Sequence, residues 1–404
     1  MPAQTRYHQA TMNILLLGAG MQGKAVLHDL IEYSHLDNIT AADANLDMLK
    51  AHVKQRGWED KVSCIHVDGS SPDSLDRAMQ RDVDIVIDLQ PKWFAVNAAR
   101  AALKRGVNFI NASYPGPEFK QLDAQIRAKG LTFLPEFGLD PGLDLVMLGD
   151  GARSLDVIEE IHSYGSGIPE WSAANNPIHY KVSWSFEGAL DAYRRNSRMI
   201  RDGKLVEIDG MTIFSPEHVT IEEIEGVGKL ESYPNGDAAE YAGILGVDPK
   251  SLKAAGRYTL RWPGHAAFWK ALVDLHLLDR EPVMVEGAPV NRIKFLSQVM
   301  GPHLQYAPGE RDIAIVRVDL IGQKDGQRKR LRYKIVDYLD LATGLSAMSR
   351  TVGFTIGIGA LWLADGTLKG PGIISPLNDV PFAPLARELN KRGVRITREE
   401  TILS

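Results

Sequence analysis

The apolar run Asn-Ile-Leu-Leu-Leu at residues 13–17 leads without a break into Gly-Ala-Gly-Met-Gln-Gly at 18–23. No other stretch limits the fold as strongly. A short, continuously apolar run has the pattern of a strand buried on both faces, and "QGKAVLHDLIEYSH" behind it has its apolar residues at helical spacing. The glycines sit at the turn between the two. Gly18 permits the sharp bend, Gly20 lets the main chain approach a pyrophosphate, and Gly23 lets the new helix pack closely on the strand. Met21 and Gln22 lie in the first helical turn, whose free N–H groups favour an anion.

The same alternation continues to about residue 135. Strand-like runs occur in "NITAAD", "VSCIHVD", "VDIVIDL", "NFINAS" and "LTFLPE", with helical segments between them. Ser71-Pro72 reads as a cap followed by a first-turn proline, and Gly106 and Gly130 close helices. Strands alternating with helices predict a parallel sheet, here a Rossmann-type doubly wound α/β domain over 12–145, after an N-terminal extension at 1–11. Beyond "EFGLDPGLD" the texture changes. Strand-like runs at "IEEIHSYGS", "YKVSWSF", "YTLRW", "IAIVRVDLIG" and "KRLRYKIVDYLD" predict a second α+β domain over 146–345 with a mainly antiparallel sheet. Asp325-Gly326 marks a hairpin between the last two. "EEIEGVGKLE" and "GQRKRLRYK" read as solvated charged faces. Residues 346–404 read as a C-terminal helical segment packing back on the first domain.

Composition narrows the function. The 404 residues carry 46 Lys and Arg against 51 Asp and Glu, a net charge of −5, so no basic surface for nucleic acid is expected. No apolar run reaches the roughly 20 residues of a membrane-spanning helix, and no membrane partner is expected. A single cysteine, Cys64, allows no disulfide within the chain and fits a reducing, cytoplasmic setting. The 11 histidines form no zinc signature, so no metal is expected. An antiparallel sheet with an open face wants a partner, which predicts a homodimer.

The candidate site follows from the rule that ligands bind at the carboxyl ends of parallel strands, where strand order reverses. Asp43 ends the second strand, where a carboxylate accepts the ribose hydroxyls of NAD and repels a 2′-phosphate; NAD is therefore expected over NADP. Asp68 follows the third strand, and either contacts the adenine side or caps a helix. Gln90-Pro91 makes a loop over the nicotinamide. Ser113, Tyr114, Glu136, Asp140 and Asp144 stand at the next two strand ends, facing a substrate.

These segments resemble the saccharopine dehydrogenase family, which includes the glutamate-forming saccharopine reductases and the lysine 6-dehydrogenases. "NASYPGP" and "PEFGLDPGLD" are similar to the family's Ser-Tyr and G-L-D-P-G-[IL]-D segments. "NNPIHYKVSWSFEGAL", "ESYPNGDAAEYAGILGV" and "GRYTLRWPGH" resemble reductase motifs. The resemblance implies substrate contacts at Ser113, Tyr114, Thr259, Leu260 and Arg261. It places Gly138, Leu139 and Asp140 at the nicotinamide and substrate, and Lys181 where the cofactor meets the substrate domain. It implies an NAD(P)-dependent oxidoreductase acting on the C–N bond of an amino acid or amine. Asp140 would be the acid/base, with Tyr114 as helper and His265, on a turn after Pro263-Gly264, as rival; Arg261 would clamp the carboxylate. Where the reductases' motif has an arginine, Gly236 stands here, which leaves one clamp fewer. An NAD-dependent polyamine synthase of the homospermidine synthase type and a non-catalytic NAD-binding protein are the alternatives.

Overall fold

The structure is a computed structural model that describes residues 12–79 and 82–403; the extension expected at 1–11 lies outside them. The described chain divides into two compact units. One holds everything described up to Gly142 together with Val352–Val380, and the other holds Leu143–Thr351 and the residues from Pro381 on.

The first unit begins with β1 (Ile14–Leu17), α1 (Met21–His28), β2 (Ile39–Asp43), α2 (Leu46–Arg56), β3 (Val62–His66), α3 (Pro72–Ala78), β4 (Ile85–Asp88), α4 (Ala95–Arg105), β5 (Asn108–Asn111), α5 (Pro117–Lys120), α6 (Asp123–Ala128) and β6 (Thr132–Leu134). The sheet order is β3-β2-β1-β4-β5-β6, every pair parallel, and a seventh strand at Gly372–Ile373 lies beside β6. All six expected strands are present. The continuous apolar runs are buried as their pattern demands: every residue of β1 and β4 is buried, and Leu15, Leu17, Val86, Phe109 and Phe133 share a core with Ala98 and Ala102 of α4. The punctuation also works locally. The Ser71 hydroxyl accepts from Ser74 N–H at the start of α3, and Gly57 and Gly106 end α2 and α4 in the left-handed conformation. One deviation is that the first helix continues past His28 as a π-helical turn over Asp29–Tyr33.

The second unit runs through α7 (Leu143–Arg153), β7 (Val157–Pro169), α8 (Phe186–Ala192), β8 (Ser197–Arg201), β9 (Lys204–Ile208), β10 (Thr220–Ile224), β11 (Gly228–Pro234), α9 (Ala238–Ile244), β12 (Ala254–Arg261), α10 (His265–Asp274), β13 (Val283–Val285), β14 (Ala288–Val290), α11 (Arg292–Met300), β15 (Asp312–Lys324) and β16 (Gln327–Tyr338). After it come α12 (Ala347–Ala364), the strand β17 (Gly372–Ile373) already placed, α13 (Pro376–Asp379), α14 (Phe382–Lys391) and β18 (Ile396–Ile402). The main sheet is ordered β10-β11-β12-β7-β15-β16-β18; β12 and β7 are parallel and the other neighbours antiparallel. Asp325 and Gly326 both take positive φ in the β15–β16 hairpin, as their dipeptide requires.

Three expectations change here. "YKVSWSF" is no strand. The Asn176 carboxamide accepts from Ile178 N–H (3.2 Å) and Tyr180 N–H (3.3 Å) and donates to the Tyr180 carbonyl (2.8 Å), which curls the segment before it enters α8. "EEIEGVGKLE" is a solvated face only in part: it is the β10–β11 hairpin, in which Ile224 and Leu230 are buried core residues among the glutamates. The C-terminal segment does not stay together. Residues 352–380 join the first unit, whereas α14 and β18 belong to the second, where β18 pairs antiparallel with β16 and satisfies that strand's outer main-chain groups.

Candidate functional site

At the carboxyl edge of the parallel sheet the glycine loop has the geometry its spacing predicts. Gly18 has φ +89°, and a Cβ there would lie 2.8 Å from the Leu89 main chain; a Cβ on Gly23 would lie 2.2 Å from the Gly18 carbonyl oxygen. Gly20 differs, since a Cβ there would meet nothing within 4 Å. The outer glycines are therefore required by packing, and the middle one faces open space that a pyrophosphate can occupy.

Asp43 does something the sequence reading missed. Its Oδ2 accepts from Ala19 N–H (2.8 Å) and its Oδ1 from Asn45 N–H (2.8 Å), so the carboxylate ties the glycine loop to the end of β2. A conformational role thus explains an acid here without reference to a ribose. Asp68 is likewise used locally: its Oδ1 accepts from the Ser70 N–H (2.9 Å) and hydroxyl (2.6 Å), and these bonds hold its carboxyl below the ordinary range.

The next strand ends are tied to each other. Asp88 and Asn111, the last residues of β4 and β5, are register partners and both buried. Asp88 accepts from Gln90 N–H (3.2 Å), and the Asn111 Oδ1 accepts from Ser113 N–H (3.2 Å). Ser113 in turn accepts from Glu136 N–H (3.1 Å). Gln90 leads through Pro91 into a short 3-10 turn, and its Oε1 is buried with no hydrogen-bond partner. Tyr114 is exposed and Asp140 half-buried. Gly138 N–H donates to the Pro141 carbonyl (2.9 Å), which folds the Gly138–Gly142 turn tightly; Leu139 is buried there and offers a ligand main chain alone.

The second unit holds a buried cation. On β12, Thr259 and Arg261 share one face and Leu260 the other, by the two-residue period of a strand. Leu260 is fully buried among Tyr164, Ile168, Trp262 and Ile315, so its side chain belongs to the core and only its main chain can meet a ligand. Arg261 is 5% exposed, its Nη1 donates to the Leu260 carbonyl (2.8 Å), and its guanidinium lies 5.0 Å from the Tyr180 ring centre. Its Nε is buried without a partner, and among the described residues it makes no ion pair. Glu231, its register partner on β11, is committed elsewhere, accepting from Gly264 N–H (2.7 Å) and Ala266 N–H (2.9 Å) at the start of α10. Burial works against the charge of Arg261, but Tyr233, Tyr193 and Tyr180 outweigh it and leave the guanidinium more basic than usual.

His265, the rival acid/base, follows the Pro263-Gly264 turn as expected but is closed off from solvent. It is the first residue of α10 and fully buried. Nδ1 lies 3.1 Å from the Ile178 carbonyl, which can only accept, so Nδ1 carries the proton; Nε2 then accepts from the Tyr193 hydroxyl at 2.9 Å. Burial and then Arg261 hold its pKa well below the ordinary value, and the ring is neutral. It positions Tyr193 and is a poor rival to Asp140. Lys181 is also buried, paired with Glu310 and 5.8 Å from the Tyr306 ring centre, so its ammonium is engaged within this unit and not free for a cofactor. Asp144, expected to face a substrate, instead forms a buried ion pair with Arg257 (2.7 Å), which donates to the Tyr241 hydroxyl (2.8 Å).

Comparison with known proteins decides the lineage. The saccharopine dehydrogenase NADP-binding domain matches residues 14–134, and the saccharopine dehydrogenase C-terminal domain matches 138–394. The chain belongs to the saccharopine dehydrogenase family. It is 25% identical to the Saccharomyces cerevisiae "Saccharopine dehydrogenase [NADP(+), L-glutamate-forming]" over 96% of this chain and 99% of that one. It is also 25% identical to the Bos taurus "Alpha-aminoadipic semialdehyde synthase, mitochondrial", of which it spans 48%. The solved structure of the apo yeast saccharopine dehydrogenase (L-Glu forming) superposes with a TM-score of 0.81 at 25% identity, covering 97% of this chain and 100% of that one.

For a member of this family the loop geometry fits a nicotinamide dinucleotide, but the preference for NAD is not supported. The matching domain is an NADP-binding one, and the acid that motivated NAD already holds two backbone N–H groups. Reading the sequence also missed the tyrosines at 180, 193, 233 and 306, Glu310, and the Asp88–Asn111 pair. Tyr180 and Tyr233 lie inside the quoted motifs; what marks them is their placement around Arg261, which no local spacing reveals.

Proposed function

We propose that the chain is an NADP-dependent dehydrogenase acting on the C–N bond of an amino acid, with saccharopine or a related N-substituted amino acid as substrate. One observation carries the reading: Arg261 is a buried, charged guanidinium with no acidic partner among the described residues. An unpaired buried cation is costly, and a ligand carboxylate relieves it with a forked pair of hydrogen bonds. Tyr180, Tyr193 and Tyr233 wall that carboxylate site. The loops after β5 and β6 present Tyr114 and Asp140, which we assign to hold and move the proton of the substrate nitrogen. Bound NADP supplies the hydride acceptor. Gly236 has φ +73° and open space where a Cβ would stand, so no side chain supplies a second clamp at that position.

The test is absorbance of reduced cofactor with NADP or NAD across saccharopine, L-lysine, ornithine and diaminopimelate. Turnover of saccharopine with NADP supports the whole reading. Turnover of a single-carboxylate amine alone would keep the C–N chemistry and shift the substrate toward the lysine-like amines. Silence with every substrate despite cofactor binding would overturn it. We also propose that the working form is a homodimer, supported by the β13–β14 ribbon, which among the described residues pairs with no other strand and exposes Val283, Met284 and Val285. A monomer mass by light scattering at micromolar concentration would refute it.

A further inference from the structure

The buried pair beneath the cofactor loops belongs to neither the glycine motif nor the substrate residues. We propose that Asp88 and Asn111 are positioning residues, a tie between β4 and β5 that sets the spacing of the Gln90 and Ser113 loops for the nicotinamide half of the dinucleotide. The inference rests on the dinucleotide reading and adds which half of the cofactor the pair serves.

The geometry runs through four groups. Gln90 N–H is held by the Asp88 carboxylate, Asp88 is supported by the Asn111 amide, and Asn111 Oδ1 holds Ser113 N–H. Each loop is thus fixed to the same buried pair and not to solvent. Gly18 packs on the Leu89 and Gln90 main chain, so a shift of that loop is felt by the glycine turn as well. In a buried site, hydrogen bonds strengthen and their loss is expensive. The tie works only while Asp88 has acceptors for both neighbours, and that sets its pH dependence. Burial raises the Asp88 carboxyl to about 7, against the Gln90 N–H and the Asn111 amide, which lower it. The facing groups are uncharged: Gln90 N–H from its own loop, the Asn111 amide from β5, and from β1 the apolar Leu17 in register. A proton on one carboxyl oxygen removes an acceptor, so acidification slackens the loops.

The experiment titrates the full chain with NADPH and, separately, with 2′-phospho-ADP-ribose, which lacks the nicotinamide. Titration of the 2′-phosphate is common to both ligands and cancels in their ratio. Wild-type affinity for NADPH should fall roughly tenfold relative to the fragment between about pH 8 and about pH 6. Asp88→Asn should bind NADPH roughly tenfold more weakly at the upper pH, show no such slope, and bind the fragment as wild type does. If that variant fails to fold, Asn111→Asp serves. It keeps the acceptor for Ser113 N–H and sets two carboxyls side by side, so its NADPH affinity should rise on acidification as they share a proton. Equal losses for NADPH and the fragment, or an Asp88→Asn profile identical to wild type, would overturn the proposal. Binding of neither NADPH nor NADH by wild type would sink the dinucleotide reading itself, and this inference with it.

Discussion

The two units carry function in opposite ways. In the first, the candidate ligand site is made of main chain: three glycines whose value is the absence of a side chain, and strand-end loops held by backbone N–H groups. In the second it is made of side chains, with Tyr180, Tyr193, Tyr233, His265 and Arg261 brought together from separate segments around one charge. A main-chain site is written in a few adjacent residues and tolerates little change of shape. A side-chain site is written across the whole unit and depends on the identity of single groups.

The comparison breaks most sharply at Arg261. Replacing it with Leu removes the proposed carboxylate partner and should lower kcat/KM by roughly 100- to 1000-fold, the usual loss when one member of a buried charge pair is removed. Cofactor affinity, which belongs to the other unit's main chain, should stay within about twofold of wild type. Arg261→Lys should recover little, because a point charge cannot reproduce the planar fork. Steady-state kinetics beside cofactor titration separates the two effects. An equal fall in both would mean that Arg261 supports the fold at large and not the substrate.

The glycines sharpen the contrast from the other side. Gly23→Ala forces a Cβ to 2.2 Å from the Gly18 oxygen, and should destabilise the first unit by about 1–3 kcal/mol while weakening the cofactor. Gly20→Ala meets nothing in the protein, so melting should be unchanged within about 0.5 kcal/mol while dinucleotide affinity falls by roughly tenfold or more. Thermal melts with and without NADPH check both. A Gly20→Ala chain that still binds NADPH normally would remove the pyrophosphate from that loop.

The same division explains what could be read in the sequence. The strand order of the first unit and its glycine turn were legible because apolar runs, caps and glycines act on their immediate neighbours. Arg261 was legible only through a motif, and its surroundings were not: nothing local says that Glu231 is spent on the N-terminus of α10, or that His265 is sealed beneath Tyr193. The alternating pattern of "YKVSWSF" pointed to a strand, and one carboxamide, Asn176, overrode it. Asp43 shows the converse case, a residue placed by its motif at the end of β2 whose backbone bonds no local pattern reveals.

Acid should also tell the units apart. Asp88 is raised to about 7, so the native first unit holds a proton that the unfolded chain, with a carboxyl near 3.8, does not; this group adds stability as pH falls through 7. His265 is depressed, so below about 6.5 the unfolded second unit binds a proton that the native one refuses, and this group removes stability as pH falls. His52, held down to about 4 chiefly by burial, opposes Asp88 within the first unit, so variants give the clean comparison. Between about pH 7.5 and about pH 5.5, His265→Gln should flatten the acid-induced loss of protection in the second unit, and Asp88→Asn should steepen it in the first; hydrogen exchange resolved by peptide measures each. Parallel changes in both units would show that neither group governs its own unit.

The smallest effect is the most discriminating for the cofactor. Asp43→Asn keeps one acceptor for the glycine loop or the β2 end, and loses the negative charge at the end of β2. If Asp43 mainly latches the loop, NADP and NAD affinities should fall together, by about 1 kcal/mol for one hydrogen bond lost. If its charge also acts on the nucleotide, NADP should gain on NAD by roughly five- to tenfold, since a negative group no longer opposes the 2′-phosphate. We expect the second outcome superposed on the first: both affinities weaker, the ratio moved toward NADP. An unchanged ratio would mean that the residue recognises neither ribose, and that selectivity for the 2′-phosphate comes from groups beyond the end of β2.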